Sequence, residues 1–187
     1  LTSYAKGNPD LYIVRGGNGK RISSHPGMNS GASYCPGNGR IALTLAKDGD
    51  AEIYTMAKDG SDLRRLTTNR AIDTSPVWSP DCSKIAFVSD RAGSPQIYIM
   101  DANGSNTTRL TTVGKYNANP SWSKNDVIAF SARDESHNLD IYTIRADGSD
   151  LTRITQQQGK NDKPSWSPCG RYIAFSSTRD GSSRIYI

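Results

Sequence analysis

Long apolar runs are missing from this sequence. Hydrophobic residues make up only 35% of its 187 residues, and they never extend over the roughly 18 to 20 consecutive positions that a membrane-spanning helix needs. Membrane insertion is therefore not expected. No signal peptide is visible either, and the opening Leu1-Thr2-Ser3-Tyr4 resembles the inside of a strand. We expect the start of the gene product, with any targeting signal, to lie before Leu1.

Histidine and cysteine are also scarce. Cys35, Cys82 and Cys169 form no CxxC pair, so their spacing indicates neither a zinc site nor a redox motif. The two histidines, His25 and His137, fall in different turn-rich stretches, and neither neighbours a GxSxG nucleophile motif. No catalytic residue and no metal ligand can be assigned, and we do not expect an enzyme.

Clustered positive charge is absent although the net charge is +5. Basic residues are spread along the chain and often stand beside an acidic residue, as in Lys47-Asp48. A nucleic-acid-binding surface would gather lysine and arginine on one face, with aromatic residues between them. A nucleic-acid partner is therefore not expected.

Turn-forming residues are abundant, and the chain repeats itself at a fixed step. Aromatic residues recur every 44 positions, at Tyr34, Trp78, Trp122 and Trp166. The same step relates the Ile-Tyr pairs that begin at residues 53, 97, 141 and 185. A period of about 40 to 45 residues is typical of propeller blades with four strands each.

One repeat divides into four short β-branched and aromatic runs, at 75–78, 84–89, 96–100 and 108–111. Their two faces are both largely apolar, so neighbouring sheets must cover each other. The sequence predicts an all-β fold, a β-propeller of four-stranded antiparallel blades that fills residues 1–187. The predicted units are a partial blade at 1–22, blades at about 32–67, 75–111 and 119–155, and a partial blade at 163–187.

The repeat resembles the WD40-like propeller repeat of the TolB family. The segments concerned are Trp78-Ser79-Pro80-Asp81, Lys84-Ile85-Ala86-Phe87, Ile97-Tyr98-Ile99-Met100-Asp101 and Arg109-Leu110-Thr111. The turn departs from the family pattern at Tyr34-Cys35-Pro36-Gly37 and at Trp122-Ser123-Lys124. The resemblance implies a six-bladed ring that follows a small α/β domain. It also implies a periplasmic, non-catalytic protein of the Tol–Pal cell-envelope system, which binds the peptidoglycan-associated lipoprotein and contacts other Tol proteins through the preceding domain.

The three cysteines fall at nearly equivalent turns of different repeats. Packed sheets lie about 10 Å apart, whereas a disulfide requires Cα atoms within about 7 Å. We therefore predict that no disulfide forms within the chain.

A candidate docking surface lies where the chain enters the first strand of each repeat. In a propeller these loops open onto one end of the central channel, and here they contain short polar side chains. The candidate partner-binding residues are Asn29, Ser30, Asp73, Thr74, Ser75, Asn117, Asn119, Asn161, Asp162 and Lys163. A ring of hydrogen-bonding groups suits protein recognition. The alternative is that these residues only form turns.

Two further alternatives stay open. Oxygen atoms of Asp73, Asn117, Asn119 and Asp162 could hold a weakly bound Ca²⁺ in the channel, because hard cations prefer oxygen ligands; no other cofactor is expected. Related repeats also form the gating propeller of prolyl-oligopeptidase-like peptidases. In that case a hydrolase domain with a GxSxG motif would follow Ile187.

Overall fold

The computed structural model describes residues 1–112, 114–133, 138–156 and 158–187, and within them eighteen strands form five antiparallel sheets. Blade 1 contains β1 (Thr2–Lys6), β2 (Asn8–Arg15) and β3 (Asn18–Ser23). Blade 2 contains β4 (Asn29–Cys35), β5 (Arg40–Leu45), β6 (Glu52–Ala57) and β7 (Arg64–Arg65). Blade 3 contains β8 (Asp73–Trp78), β9 (Lys84–Ser89), β10 (Gln96–Asp101) and β11 (Thr108–Arg109).

The remaining two blades follow the same plan. Blade 4 contains β12 (Tyr116–Trp122), β13 (Val127–Arg133), β14 (Leu139–Arg145) and β15 (Thr152–Arg153). Blade 5 contains β16 (Asn161–Trp166), β17 (Ile173–Ser177) and β18 (Arg184–Tyr186). Within each sheet every strand pairs with its neighbour in sequence. The described residues include no helix of the length and hydrophobicity needed to cross a membrane.

The propeller architecture agrees with the sequence-based expectation, but the expected six blades are a mistake. The strands of the described residues assemble into five sheets, three with four strands and two with three. The number six came from the family resemblance and not from the residues. Each blade occupies about 44 residues, and the strands that recur at this spacing form five blades.

Apolar clusters between neighbouring blades form the core. Ile85, Ala86 and Phe87 of β9 are consecutive and all fully buried, so both faces of this sheet are covered. Phe87 belongs to a cluster with Ile53 of blade 2, whereas Ala86 belongs to a cluster with Ile128 of blade 4. Because successive side chains of a strand point to opposite faces, one strand supplies two cores.

The structure contains a disulfide between Cys35 and Cys82, so the prediction of none was wrong. The two Cα atoms are 6.0 Å apart, within bridging distance. A spacing of 10 Å describes packed sheet faces, but inner strands converge toward the channel of a propeller. The backbone N–H of Trp78 accordingly donates to Ser33 Oγ of blade 2 at 3.3 Å. The bridge leaves the 44-residue alignment intact, because Tyr34 and Trp78 lie at matching positions near the ends of β4 and β8.

Candidate partner-binding site

A bulge interrupts the inner strand of blades 2, 3, 4 and 5 at the same position. The pairing register shifts between residues 30 and 33, 74 and 77, 118 and 121, and 162 and 165. In each bulge one residue has a left-handed backbone: Gly31 (φ 63°), Ser75 (φ 54°), Asn119 (φ 54°) and Lys163 (φ 54°). Bulges re-aim side chains and end regular pairing, so the same device recurs four times around the axis.

These four bulges surround one cavity of about 330 Å³. Three residues from each inner strand line it: Gly31, Ala32, Ser33, Ser75, Pro76, Val77, Asn119, Pro120, Ser121, Lys163, Pro164 and Ser165. The cavity is the central channel, and its lining combines hydroxyl and amide groups with rigid proline rings. Gly31, the three prolines, Ser33, Ser121 and Ser165 were not predicted as site residues, although they follow predicted residues at the same 44-residue step.

Four of the predicted residues do not face the channel. Asn29, Asp73, Asn117 and Asn161 are buried at the first or second position of their inner strands. Asn117 Nδ2 donates to Gln96 Oε1 at 2.9 Å, and Asn161 Nδ2 donates to Asp140 Oδ1 at 2.8 Å. These bonds connect the inner strands of blades 4 and 5 to the third strand of the preceding blade, and Asn29 Oδ1 accepts from Ser23 Oγ of blade 1 in the same way at 2.7 Å.

The acceptors of these bonds belong to a repeated buried network. Hydroxyls of Thr111 and Thr155 donate to Gln96 and Asp140, at 2.8 Å and 2.6 Å. The same hydroxyls accept the backbone N–H groups of Ile97 and Ile141 at 2.9 Å. Since buried polar groups are costly without partners, this network explains why polar residues recur there without any contact to a ligand.

Burial of the Asp73 carboxylate has an electrostatic cost, because the charged group loses its contact with water. Its Oδ2 accepts from Arg91 Nη2 at 2.8 Å and from Asn69 Nδ2 at 2.7 Å. Burial removes water from the carboxylate and raises its pKa above the ordinary value. The buried carboxylate of Asp73 pairs with Arg91, whose side chain remains partly exposed.

Of the other predicted residues, Ser75, Asn119 and Lys163 line the channel, whereas Ser30, Thr74 and Asp162 each stand one residue before a bulge residue and do not line it. Ser30, Thr74, Ser75, Asn119 and Asp162 are half-buried, and Lys163 is exposed. Asn119 Nδ2 donates to Asp162 Oδ1 at 2.9 Å, which bridges blades 4 and 5. The same oxygen accepts from Ser131 Oγ and from the backbone N–H of Lys163, both at 2.8 Å. The channel mouth is therefore polar and partly preorganised, with the Lys163 ammonium at its edge.

The geometry bears on the remaining sequence-based candidates. Among the described residues no group of three or more His, Cys, Asp and Glu side chains could hold a metal ion. Of the proposed Ca²⁺ ligands, Asp73 is paired with Arg91, and Asn119 directs its amide nitrogen at Asp162. The backbone N–H of His25 donates to Asn29 Oδ1, and its carbonyl oxygen accepts from Asn29 Nδ2. His137 lies outside the described residues.

Comparison with known proteins agrees with this geometry. Residues 1–138 match the family described as the TolB beta propeller domain. The Tol-Pal system protein TolB of Desulfosudis oleivorans is 47% identical over 67 residues, which are 35% of this chain and 15% of that protein. The crystal structure of TolB from Acinetobacter baumannii has a TM-score of 0.87 and 27% identity, and the match covers 98% of this chain and 47% of that one.

A more distant likeness concerns the fold alone. A puromycin-hydrolyzing peptidase from Mycobacterium tuberculosis has a TM-score of 0.69 at 14% identity, and the match covers 91% of this chain and 28% of that one. The matched part of this chain spans less than half the length of the TolB proteins from Desulfosudis oleivorans and Acinetobacter baumannii. The family match covers most of its residues, and the chain therefore belongs to the TolB β-propeller domain family.

Proposed function

We propose that this chain is a non-catalytic propeller that binds a protein partner at the mouth of its channel. The system is a periplasmic Tol–Pal system, and the partner is the peptidoglycan-associated lipoprotein. The recurrent bulge is the main observation behind this proposal. It presents Ser75, Asn119 and Lys163 at matching positions of three blades, where blade 2 has Gly31, around a cavity of about 330 Å³.

The chemistry of the mouth suits a polypeptide segment. Polar groups held by the scaffold fix the orientation of a bound chain, and a partly buried rim supplies hydrogen bonds at little cost in ordering. Asn119 and Asp162 already hold each other across two blades, so a partner meets a fixed arrangement. Lys163 adds a positive charge that suits an acidic group on the partner.

The disulfide supports the proposed compartment. Cys35 and Cys82 are bonded, and structural disulfides persist in oxidising compartments such as the bacterial periplasm. The relative from Desulfosudis oleivorans is named a Tol-Pal system protein, which supports this system over the gating propeller of a peptidase. The likeness to the puromycin-hydrolyzing peptidase is 14% in sequence and favours no catalytic role.

Calorimetric titration of the full-length protein with the peptidoglycan-associated lipoprotein tests the proposal. The variant combines Ser75→Gly, Asn119→Gly and Lys163→Gly, because glycine keeps the left-handed backbone of the bulges. We expect saturable binding by the native protein and about tenfold or greater weakening by the variant, equivalent to the loss of one or two buried polar contacts.

The matched control changes charged residues at the opposite end of the channel. Lys124→Ala with Arg171→Ala removes two exposed side chains from the turns that follow β12 and β16, and affinity should stay within about twofold. No heat of binding at high micromolar concentration would reject the partner. Equal weakening by both variants would reject the channel mouth as the docking surface.

A further inference from the structure

Asparagine directly precedes glycine at three places in this chain: Asn18-Gly19, Asn38-Gly39 and Asn103-Gly104. In such a pair the backbone nitrogen of glycine can attack the side-chain carbonyl carbon of asparagine, because no Cβ shields this nitrogen. The attack requires a nitrogen that has lost its proton and that is not held in a hydrogen bond. The hydrogen bonding of the three glycine N–H groups therefore decides which asparagine reacts.

Two of the three glycine N–H groups are held within tight turns. The N–H of Gly39 donates to the carbonyl oxygen of Cys35 at 3.0 Å, and that of Gly104 donates to the carbonyl oxygen of Asp101 at 2.9 Å. Either bond must break before the nitrogen can lose its proton and react. The fold therefore protects the two asparagines that precede these glycines, although both asparagines are exposed.

The third nitrogen, that of Gly19, points away from its neighbouring strand. The turn between β2 and β3 consists of residues 16–17, both glycines with positive φ (54° and 83°), and Arg15 pairs with Asn18 across it. Such φ angles are typical of a type I′ hairpin turn, whose closing pair exchanges both backbone hydrogen bonds. The next pair, Val14 and Gly19, is then a non-hydrogen-bonded pair, and its N–H groups are directed outward.

The outer edge of β3 is open to water at this point. Within the described part of the chain, β3 is the last strand of a three-stranded sheet and no further strand pairs with it. Asn18 and Gly19 are both exposed, and a Cβ built on Gly19 would meet only the side chains of Tyr12 and Val14, at 3.7 Å and 3.9 Å. Hydroxide and water therefore reach both reacting groups.

Two cations flank this dipeptide. Arg15 lies opposite Asn18, Lys20 follows Gly19, and both cationic residues are exposed. Removal of the proton from the Gly19 nitrogen creates an anion, which nearby positive charge stabilises. The turn that contains the third dipeptide holds the carboxylate of Asp101 instead, which disfavours the same anion.

We propose that Asn18 is a site of spontaneous deamidation. The deprotonated nitrogen of Gly19 bonds to Cγ of Asn18, the side-chain nitrogen takes a proton from water and leaves as ammonia, and a succinimide ring forms. Water then opens the ring at either carbonyl and gives aspartate or isoaspartate, so the net reaction consumes water, releases ammonia and needs no oxidant. Isoaspartate adds a carbon to the backbone of β3 and disturbs its pairing with β2, and either product places a carboxylate between two cations.

Peptide mapping by mass spectrometry of the full-length protein, incubated in mildly alkaline buffer, tests this proposal. We expect deamidation at Asn18 to be about threefold to tenfold faster than at Asn38 or Asn103, the factor that one net hydrogen bond is worth. The same incubation in guanidinium chloride removes the turns, and the three rates should then become similar. Equal or faster modification of Asn38 or Asn103 in the folded protein would overturn the proposal, as would an unchanged advantage of Asn18 in the unfolded chain.

Gly19→Ala is the matched variant. An alanine Cβ fits there, because Gly19 has no positive φ and the nearest atoms lie at ordinary contact distance, and this Cβ shields the attacking nitrogen. We expect the variant to fold and to lose the modification within the incubation that modifies the native protein. Asn18→Gln, whose larger ring forms more slowly, should also remain unmodified and decides the question if Gly19→Ala fails to fold. Modification of either folded variant at the native rate would reject this reaction at Asn18.

Discussion

Asp73 occupies, in blade 3, the position that asparagine occupies in blades 2, 4 and 5. Its carboxylate accepts from Arg91 and Asn69 while fully buried. Because Asn161 accepts from Arg179 in the same way, we expect Asp73→Asn to change the free energy of unfolding at pH 7 by less than about 1 kcal/mol. Asp73→Leu should cost about 1 to 3 kcal/mol, since it leaves the partly exposed Arg91 guanidinium and the Asn69 amide without their acceptor. Urea denaturation measures both values.

Comparison of Asp73→Asn with the native protein also reports the ionisation of Asp73. Burial raises its folded-state pKa above the unfolded value of about 3.9, so the folded state binds the proton more tightly. The stability contributed by this group is therefore complete below the unfolded pKa and is lost as pH rises through the folded pKa. The stability of Asp73→Asn relative to the native protein should thus increase as the pH rises through this window. A difference that stays constant or falls would show that the pKa is not raised.

The sequence located these residues but could not separate the buried from the exposed ones. Short polar residues recur at the 44-residue step in two sets. The buried set is Asn29, Asp73, Asn117 and Asn161, and the half-buried set is Ser30, Thr74 and Asp162. Their partners supplied the missing signal. Glu52, Gln96 and Asp140 recur at the same step, as do Thr67, Thr111 and Thr155. Polar residues that recur together at three positions of each repeat indicate a buried network, because each needs a partner once water is removed.

At the scale of a strand, the bulge is the element that shapes the channel. Lys163 adopts a left-handed backbone there, where blade 2 has Gly31. An L-residue in this region is strained by about 1 to 2 kcal/mol, and a β-branched residue fits worst. We expect Lys163→Gly to keep or slightly raise the thermal midpoint, whereas Lys163→Val should lower the free energy of unfolding by about 1 kcal/mol or more. Equal free energies of unfolding for the two variants would contradict a left-handed backbone at Lys163.

Hydroxyls on the second strands connect some inner strands but not others. Thr44 Oγ1 accepts the backbone N–H of Ser75 at 3.2 Å, and Ser131 Oγ accepts that of Lys163 at 3.1 Å. Blade 3 has Val88 at this position, which offers no acceptor to Asn119. We expect Thr44→Val to cost about 1 kcal/mol of unfolding free energy, and Val88→Thr to recover part of such a bond at the seam between blades 3 and 4. Thermal unfolding of the two single variants and of the double variant checks whether Thr44→Val lowers the stability and Val88→Thr raises it.

Strand positions could be predicted because the step of 44 residues repeats aromatic and turn residues together. Trp78, Trp122 and Trp166 end β8, β12 and β16, and Tyr34 stands next to the end of β4. The bulges could not be predicted from this pattern, because alternation along a strand fixes which face a residue takes only while the pairing stays regular. The bulge at Ser75 or Asn119 changes which face of the sheet the neighbouring side chains take, and the hydrophobic pattern of the sequence does not show this change.

The count of blades and the disulfide are properties of the whole molecule, and both were wrongly predicted from the sequence. Six blades followed from a family resemblance, whereas the described strands build five sheets. The disulfide was excluded with a distance for flat stacked sheets, although inner strands of a propeller converge. Cys35 and Cys82 are separated by 47 residues and not by the repeat of 44. This offset moves Cys82 into the turn beyond β8, where it reaches the end of β4.

The disulfide should therefore stabilise the contact between blades 2 and 3. Closing a loop over a separation of 47 residues removes conformational entropy from the unfolded chain, worth roughly 4 kcal/mol. We expect Cys35→Ala with Cys82→Ala to lower the free energy of unfolding by about 2 to 4 kcal/mol, measured by denaturant unfolding of the full-length protein. Cys169→Ala is the control, because this cysteine is exposed and unpaired and its removal should change stability by less than about 0.5 kcal/mol. A reducing agent should lower the native protein to the level of the double variant and leave that variant unaffected, whereas a native protein indifferent to reduction would mean that the bond does not hold these two blades together.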